Sequence, residues 1–212
     1  MTTTEYSMST KPSKIVCIGR NYSEHAKELG HDVPKEPLFF LKPPSSIIAN
    51  GDAIELPTQS QQVEHEGEIG LVIGKRLSSA SSRDAAAAIR AIVALNDVTA
   101  RDLQKKDSQW TRAKGFDTFC PIGEPGRVPN DLSSLTVVTR VNGAERQRGS
   151  ASEMIFSIAD LLAYVSNVMT LEPDDVVATG TPAGVGILKP GDEVEVEILG
   201  ISRVKNPVRA RA

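Results

Sequence analysis

"VEHEGEIGLVIGK", Val63 to Lys75, is the stretch on which the reading of this chain turns. Glu64, Glu66 and Glu68 fall at every second position, and Ile69, Leu71, Val72 and Ile73 follow at once. In an extended strand residues i and i+2 share a face, about 6–7 Å apart. The alternation therefore predicts one strand with the three acids on one side and His65, Ile69, Leu71 and Ile73 on the other. Its end is apolar on both faces, which predicts an interior strand. Gly67 and Gly70 leave room for close approach beside the acids. Exposed to water, such a row is cheap because solvent screens the repulsion. Half buried, it needs protonation or a cation. Carboxylate-only ligation suits a hard ion such as Mg²⁺, Mn²⁺ or Ca²⁺. Asp97, where the apolar run "AIVAL" gives way to "NDVTARD", is the candidate third acid. Spacing alone leaves a plainer alternative open, in which Glu66 and Glu68 are surface acids and Asp97 caps a helix.

Outward from this segment, strands outnumber helices. "KIVCIG" (14–19) reads as a strand, and "RNYSEHAKELG" (20–30) as a short helix with Ser23 as cap and Gly30 as stop. "LFFLKPPSSIIANG" gives short strands interrupted by Pro43 and Pro44. "SSRDAAAAIRAIVAL" begins helical on alanine propensity and turns to strand near Ile92 to Leu95. "NDVTARDLQKKDSQW" is a strand end followed by a polar helix. "LTVVTRVNGAERQ" predicts a hairpin turning at Asn142-Gly143. "SIADLLAYVSNVMT" is the clearest helix, capped by Ser157. "DDVVATGTPAGVG" is a strand entering a glycine-rich turn, and "DEVEVEILG" and "SRVKNPVRAR" are terminal strands. Strand and helix do not alternate as in a Rossmann fold. A mixed α+β, β-rich fold follows, with a loose N-terminal extension over residues 1–12 and a single domain over 13–212.

The totals exclude several classes. The 212 residues carry a formal net charge of -3 with no basic block, which argues against nucleic acid as a partner. No apolar run reaches the ~20 residues of a membrane helix. "MTTTEYSMSTKP" has neither the basic start nor the apolar stretch of a secretory signal, so the cytoplasm is the expected compartment. Cys17 and Cys120 make no disulfide framework. The chain lacks the G-x-x-x-x-G-K-[ST] and G-x-G-x-x-G nucleotide motifs and the G-x-S-x-G elbow.

His25 and Glu28 lie three apart on the short helix and can meet on one face. A carboxylate beside an imidazole orients it and raises its basicity, as a water-activating base requires. An exposed surface pair is the alternative at this point. His65 opposes the acids on its strand and reads as a buried structural histidine, and His31 sits in a loop. The segment "VTARDLQKKDSQWTRAKGFDTFCP" is dense in basic and amide side chains around the lone Trp110. Arg101, Gln104 and Lys114 there could hold an anion, or the segment could be a solvated loop with Phe116, Phe119 and Cys120 buried.

Taken in order, "GRNYSEHAKELG", "FLKP", "EHEGEIGLVIGK", "NDVTARDLQ", "QWTRAKGFDTFCPIG", "VNGAERQRGSASEMIFSI" and "ATGTPAGVG" resemble the fumarylacetoacetate hydrolase family, over roughly 15 to 200. The nearest resemblance is to its short acylpyruvate hydrolase and oxaloacetate decarboxylase branch. That resemblance implies a mixed β-sandwich or roll with a few short helices, a homodimer, and one Mg²⁺ or Mn²⁺ per subunit. It implies Glu66, Glu68 and Asp97 as metal ligands, with His25 and Glu28 on a lid activating water. Lys114 would stand at the active site, and Arg20, Lys42, Arg101, Gln104 and Thr181 would contact or surround the substrate. Glu64 receives no role in this picture.

The reaction so implied is cleavage of the C–C bond of an acylpyruvate, such as acetylpyruvate or fumarylpyruvate, to pyruvate and a carboxylic acid. Oxaloacetate decarboxylation and 2-oxo acid tautomerisation or isomerisation share the same enolate and are the alternatives. A non-catalytic domain binding a metal or small anion is the remaining reading.

Overall fold

The computed structural model describes residues 11–28, 30 and 32–211, so most of the expected extension and His31 lie outside the described residues. The first half of the chain contains β1 (Ile15–Gly19), α1 (Ser23–Glu28), β2 (Leu38–Lys42), β3 (Ile47–Ile48), β4 (Ile54–Leu56), β5 (Val63–His65) and β6 (Gly67–Ile73). There follow α2 (Ser82–Ala87), β7 (Ile89–Asn96), β8 (Thr99–Ala100), α3 (Arg101–Lys106), α4 (Thr111–Lys114) and β9 (Cys120–Pro121). The C-terminal part holds β10 (Thr136–Val141), β11 (Ala144–Ser150), α5 (Ile158–Val168), β12 (Val176–Ala178), β13 (Gly186–Ile187), β14 (Glu193–Ile198) and β15 (Ser202–Ala210).

The β-rich α+β expectation is met. One five-stranded sheet runs β2-β1-β12-β6-β7, and a second runs β11-β10-β14-β15-β4. Their facing sides share one core: Val16, Ile69, Leu71, Ile73 and Ile92 meet Val137, Val196, Ile198 and Val204, and Leu161, Leu162 and Val165 of α5 close one end. The opposite face of the first sheet is also covered, through Cys17, Val72, Val93, Leu95, Cys120 and Val176. That explains why β6 reads as a continuous apolar run. Both cysteines are buried and free. No helix among the described residues is long and apolar enough to cross a membrane.

The acidic stretch is not one strand. β5 pairs with β8 and β13 in a small three-stranded sheet, whereas β6 pairs with β7 and β12 in the first large sheet. The chain changes sheets at Glu66, whose N–H donates to Asn96 Oδ1 at 3.0 Å and whose carbonyl accepts from Asp97 N at 2.8 Å. Alternation hides such a handover, because both halves keep the two-residue period. Gly67 sits just after the break and is fixed by packing. A β-carbon there would lie 1.9 Å from Thr139 Oγ1 on the facing sheet.

Other boundaries shift for similar reasons. Ser23 is the first residue of α1 rather than its cap, while Gly30 ends that turn at φ +72° with its N–H on Lys27 O at 2.9 Å. The alanine-rich α2 stops at Ala87, and β7 begins at Ile89 rather than Ile92 because Ile89 already pairs with Ile73. Sheet pairing there overrides alanine's helix propensity. The Asn142-Gly143 hairpin has both residues at positive φ, +52° and +78°, as a type I′ turn demands. Ser157 caps α5 by accepting from Asp160 N.

Candidate active site

The handover at Glu66 builds the floor of a cavity. Glu66 stands at the break, Glu68 one step into β6, and Asp97 just beyond the end of β7, which pairs with β6. One side-chain oxygen from each lies within 4.8 Å of the other two, and all three residues are buried. The expected trio is therefore assembled by the ladder between two neighbouring strands.

These acids are not equally compensated. Asp97 accepts from Lys42 Nζ at 2.7 Å on one oxygen and from Lys114 Nζ at 2.6 Å on the other. Glu66 accepts from Lys114 Nζ at 2.7 Å and from Arg101 Nη2. Burial opposes ionisation of Glu66, but Lys114 and Arg101 outweigh it and hold the carboxyl well below the usual range. Glu68 accepts from Gly180 N at 2.7 Å and is paired with no cationic side chain among the described residues. Burial first, then the charges of Asp97 and Glu66, push its carboxyl well above the usual range.

This imbalance is a test of fit for an ion. A buried carboxylate beside two others requires a proton or another positive charge. The donor set is all oxygen, which suits a hard divalent cation. Glu66, Glu68 and Asp97 fit such an ion both chemically and in their mutual spacing.

Around this floor opens a cavity of about 380 Å³. His25, Lys114, Arg20, Arg101, Gln104 and Thr181, all expected at the site, line it. His25 is buried, and its Nδ1 lies 3.2 Å from Glu28 Oε2. A carboxylate only accepts, so Nδ1 carries the proton and Nε2 is left as the basic nitrogen. Glu28 is itself held by Gly184 N, at 3.1 and 3.2 Å to its two oxygens. The pair is thus braced, not a loose surface contact.

Lys42 and Arg101, both expected to contact or surround the substrate, are held by acids. Lys42 does not line the cavity; its buried ammonium supports Asp97 and the carbonyl of Val98. Arg101 does line it, but Nε is bound to Glu64 Oε2 at 2.8 Å, Nη2 to Glu66, and Nη1 to Gln104 Oε1. Glu64, left without a role by the sequence, thereby fixes Arg101, and Gln62 Nε2 holds the other Glu64 oxygen at 2.6 Å. His65 is the expected buried structural histidine, bonded to Gln147 at 3.1 Å.

Sequence reasoning missed Phe40, Lys105 and Trp110 as parts of the wall, and Gln147 behind it. Gln147 accepts from Gly67 N at 3.0 Å and donates to Thr181 Oγ1 and Pro182 O, each at 2.7 Å. The signal was an amide at an inward position of β11, between exposed Arg146 and Arg148.

The family model for the fumarylacetoacetate (FAA) hydrolase C-terminal domain matches residues 14–209. The chain belongs to the fumarylacetoacetate hydrolase family. It is an enzyme of that family, and the order of motifs, the fold and the acidic floor are accounted for together. It is 43% identical over 210 residues to the mitochondrial oxaloacetate tautomerase FAHD1 of Arabidopsis thaliana, covering 96% of this chain and 94% of the relative. It is 43% identical over 197 residues to the mitochondrial oxaloacetate decarboxylase of Dictyostelium discoideum, covering 89% of each. Among solved structures of the family, a 5-carboxymethyl-2-hydroxymuconate delta-isomerase from Mycobacterium smegmatis superposes with a TM-score of 0.88 at 43% identity, over 95% of this chain and 80% of that one.

Proposed function

We propose that this family member is a divalent-metal-dependent enzyme that forms the enolate of small anionic 2-oxo acids, with oxaloacetate as its preferred substrate. The observation that carries this reading is the uncompensated Glu68 beside Glu66 and Asp97 on the floor of a cavity. Four basic side chains, Arg20, Arg101, Lys105 and Lys114, line the same cavity against those three acids, so an added +2 ion makes the site strongly attractive to a dianion. The names of the oxaloacetate tautomerase and decarboxylase relatives support the choice of substrate.

Mg²⁺ or Mn²⁺ held by Glu66, Glu68 and Asp97 would supply Lewis-acid stabilisation of the negative charge that develops on the 2-oxo oxygen. The chain's own groups do the rest. Burial alone would lower the pKa of Lys114, but with no ion beside them Asp97 and Glu66 raise it above the ordinary lysine value. Lys114 therefore orients two of the acids and places fixed positive charge beside the enolate. In decarboxylation the C3–C4 bond of oxaloacetate breaks, CO₂ leaves, and the electron pair remains as pyruvate enolate. C3 then takes a proton to give pyruvate. Tautomerisation moves a C3 proton without breaking that bond, and His25, which lines the cavity, would be the base that carries it through Nε2.

One observation favours a second reading, hydrolysis of acylpyruvates. The His25–Glu28 pair is the arrangement that takes a proton from water. Attack on the distal carbonyl would then release a carboxylic acid and the same enolate. Assays of pyruvate release from oxaloacetate and from acetylpyruvate, and of the keto–enol absorbance change of oxaloacetate, with EDTA and with Mg²⁺ restored, test both readings. We expect metal-dependent turnover of oxaloacetate, and no turnover of either substrate with metal would overturn the proposal.

A further inference from the structure

The basic groups on the cavity floor already have acidic partners. Arg101 is taken by Glu64 and Glu66, and Lys114 by Glu66 and Asp97. Arg20 lines the same cavity, yet no carboxylate pairs with its guanidinium among the described residues. It is instead laid on an aromatic shelf, with Cζ 5.9 Å from the Trp110 ring centroid.

Both the shelf and the backbone beneath Arg20 are fixed. Trp110 packs edge-on to Phe40 at 5.3 Å. Trp110 also fits against Gly19, where a β-carbon would lie 3.0 Å from its Cζ3. Arg20 has φ +59°, a left-handed conformation that side-chain-bearing residues rarely adopt. The next residue, Asn21, is fully buried; its amide bonds Thr179 O at 2.9 Å and Phe156 O at 3.2 Å and accepts from Phe156 N at 2.9 Å. A backbone outlier clamped this firmly, and carrying a charge without an acidic partner into a cavity, points to a ligand group.

We infer that Arg20 reads a second carboxylate at the far end of the substrate, so that the site selects 2-oxo acids with a distal carboxylate over those ending in a methyl group. The inference rests on the reading that the 2-oxo end is held at Glu66, Glu68 and Asp97. A guanidinium presents a planar fork that a carboxylate matches with two parallel hydrogen bonds. Stacking on Trp110 holds that fork before the substrate arrives, which lowers the ordering cost of binding. Lys105 is the competing reader, since it also lines the cavity and is exposed.

Calorimetric titration with 2-oxoglutarate and 2-oxopentanoate in Mg²⁺ tests this, because the pair differs only in a terminal carboxylate against a methyl. We expect the full chain to bind the diacid at least about tenfold more tightly, in line with a charged hydrogen bond. Arg20→Gln should bring that ratio to within about twofold, Arg20→Lys should leave it in between, and Lys105→Gln should preserve it. Equal binding of both acids, an undiminished ratio in Arg20→Gln, or a collapse seen only in Lys105→Gln would each overturn the inference. A preserved pattern of ratios without turnover of oxaloacetate or acetylpyruvate would uphold Arg20 as selector and sink the reaction. Fluorescence of the lone Trp110 during thermal melting reports whether each variant is folded.

Discussion

Lys42 Nζ donates to Asp97 Oδ1 at 2.7 Å, the lysine buried behind the acidic floor that Asp97 helps to form. This contact leaves the other Asp97 oxygen facing Lys114 and the acidic floor. Lys42→Met would retain the packing of the stem and strip Asp97 of one neutralising charge. Removing one partner of a buried pair costs about 3–5 kcal/mol. Urea unfolding should register a loss of that size, larger in EDTA than in saturating Mg²⁺. A loss below about 1 kcal/mol would show that Lys42 is not what makes Asp97 tolerable.

Glu68→Gln should act in the opposite sense on the metal-free protein. The amide has nearly the same shape and removes a buried acid that has no cationic partner among the described residues. Thermal melting in EDTA should show the variant as stable as the parent or up to a few degrees more stable, since about 1 kcal/mol moves the midpoint of a chain this size by about 2–4 °C. The gain in midpoint on adding Mg²⁺ should disappear. A retained Mg²⁺ shift would remove Glu68 from the ligand set.

His25→Ala separates the two readings of the reaction. If water attack uses the His25–Glu28 pair, acetylpyruvate hydrolysis should fall by about 10²–10⁴-fold, the usual contribution of a positioned base. Oxaloacetate decarboxylation requires no attacking water and should fall much less. Equal losses in steady-state kcat would contradict the assignment of His25 to water.

Asp175 gives a pH prediction away from the site. It accepts from Ser13 Oγ at 2.7 Å, Lys14 N at 3.1 Å and Glu172 N at 2.8 Å, and it pairs with the Lys14 ammonium. Burial opposes its ionisation, but Lys14 and these donors prevail and lower its pKa. A carboxyl lowered on folding stabilises the protein above its unfolded pKa, near 3.9. That stability is lost as pH falls through the lower folded value. Denaturant unfolding from pH 6 down to pH 2 should show the loss, and Asp175→Asn should flatten that part of the curve while costing about 1–3 kcal/mol at neutral pH. An unchanged slope would remove Asp175 from the acid transition.

What the sequence made legible follows from how local each cause is. The Asn142-Gly143 turn, the Ser157 cap and the alternating terminal strands depend on near neighbours, and all are present. The acidic trio was legible because E-x-E and N-D lie on or beside the ends of strands that become neighbours in one ladder. The break at Glu66 was not, since strand period carries no mark of a change of sheet. Nor could spacing reveal that Lys42 faces Asp97, 55 residues away, or that Glu64 and Glu66 share one guanidinium. Such partnerships exist only after distant segments close on each other.

The floor and the rim of the cavity differ in how they are built. Glu66, Glu68 and Asp97 are stitched into the β6–β7 seam, whereas Arg20 leads into α1, and Lys105 and Trp110 belong to the α3–α4 corner. Redesign can exploit this split. Exchanging the α1 approach and the α3–α4 corner would retune which molecules are admitted, while the woven base keeps its geometry and with it the chemistry common to all of them.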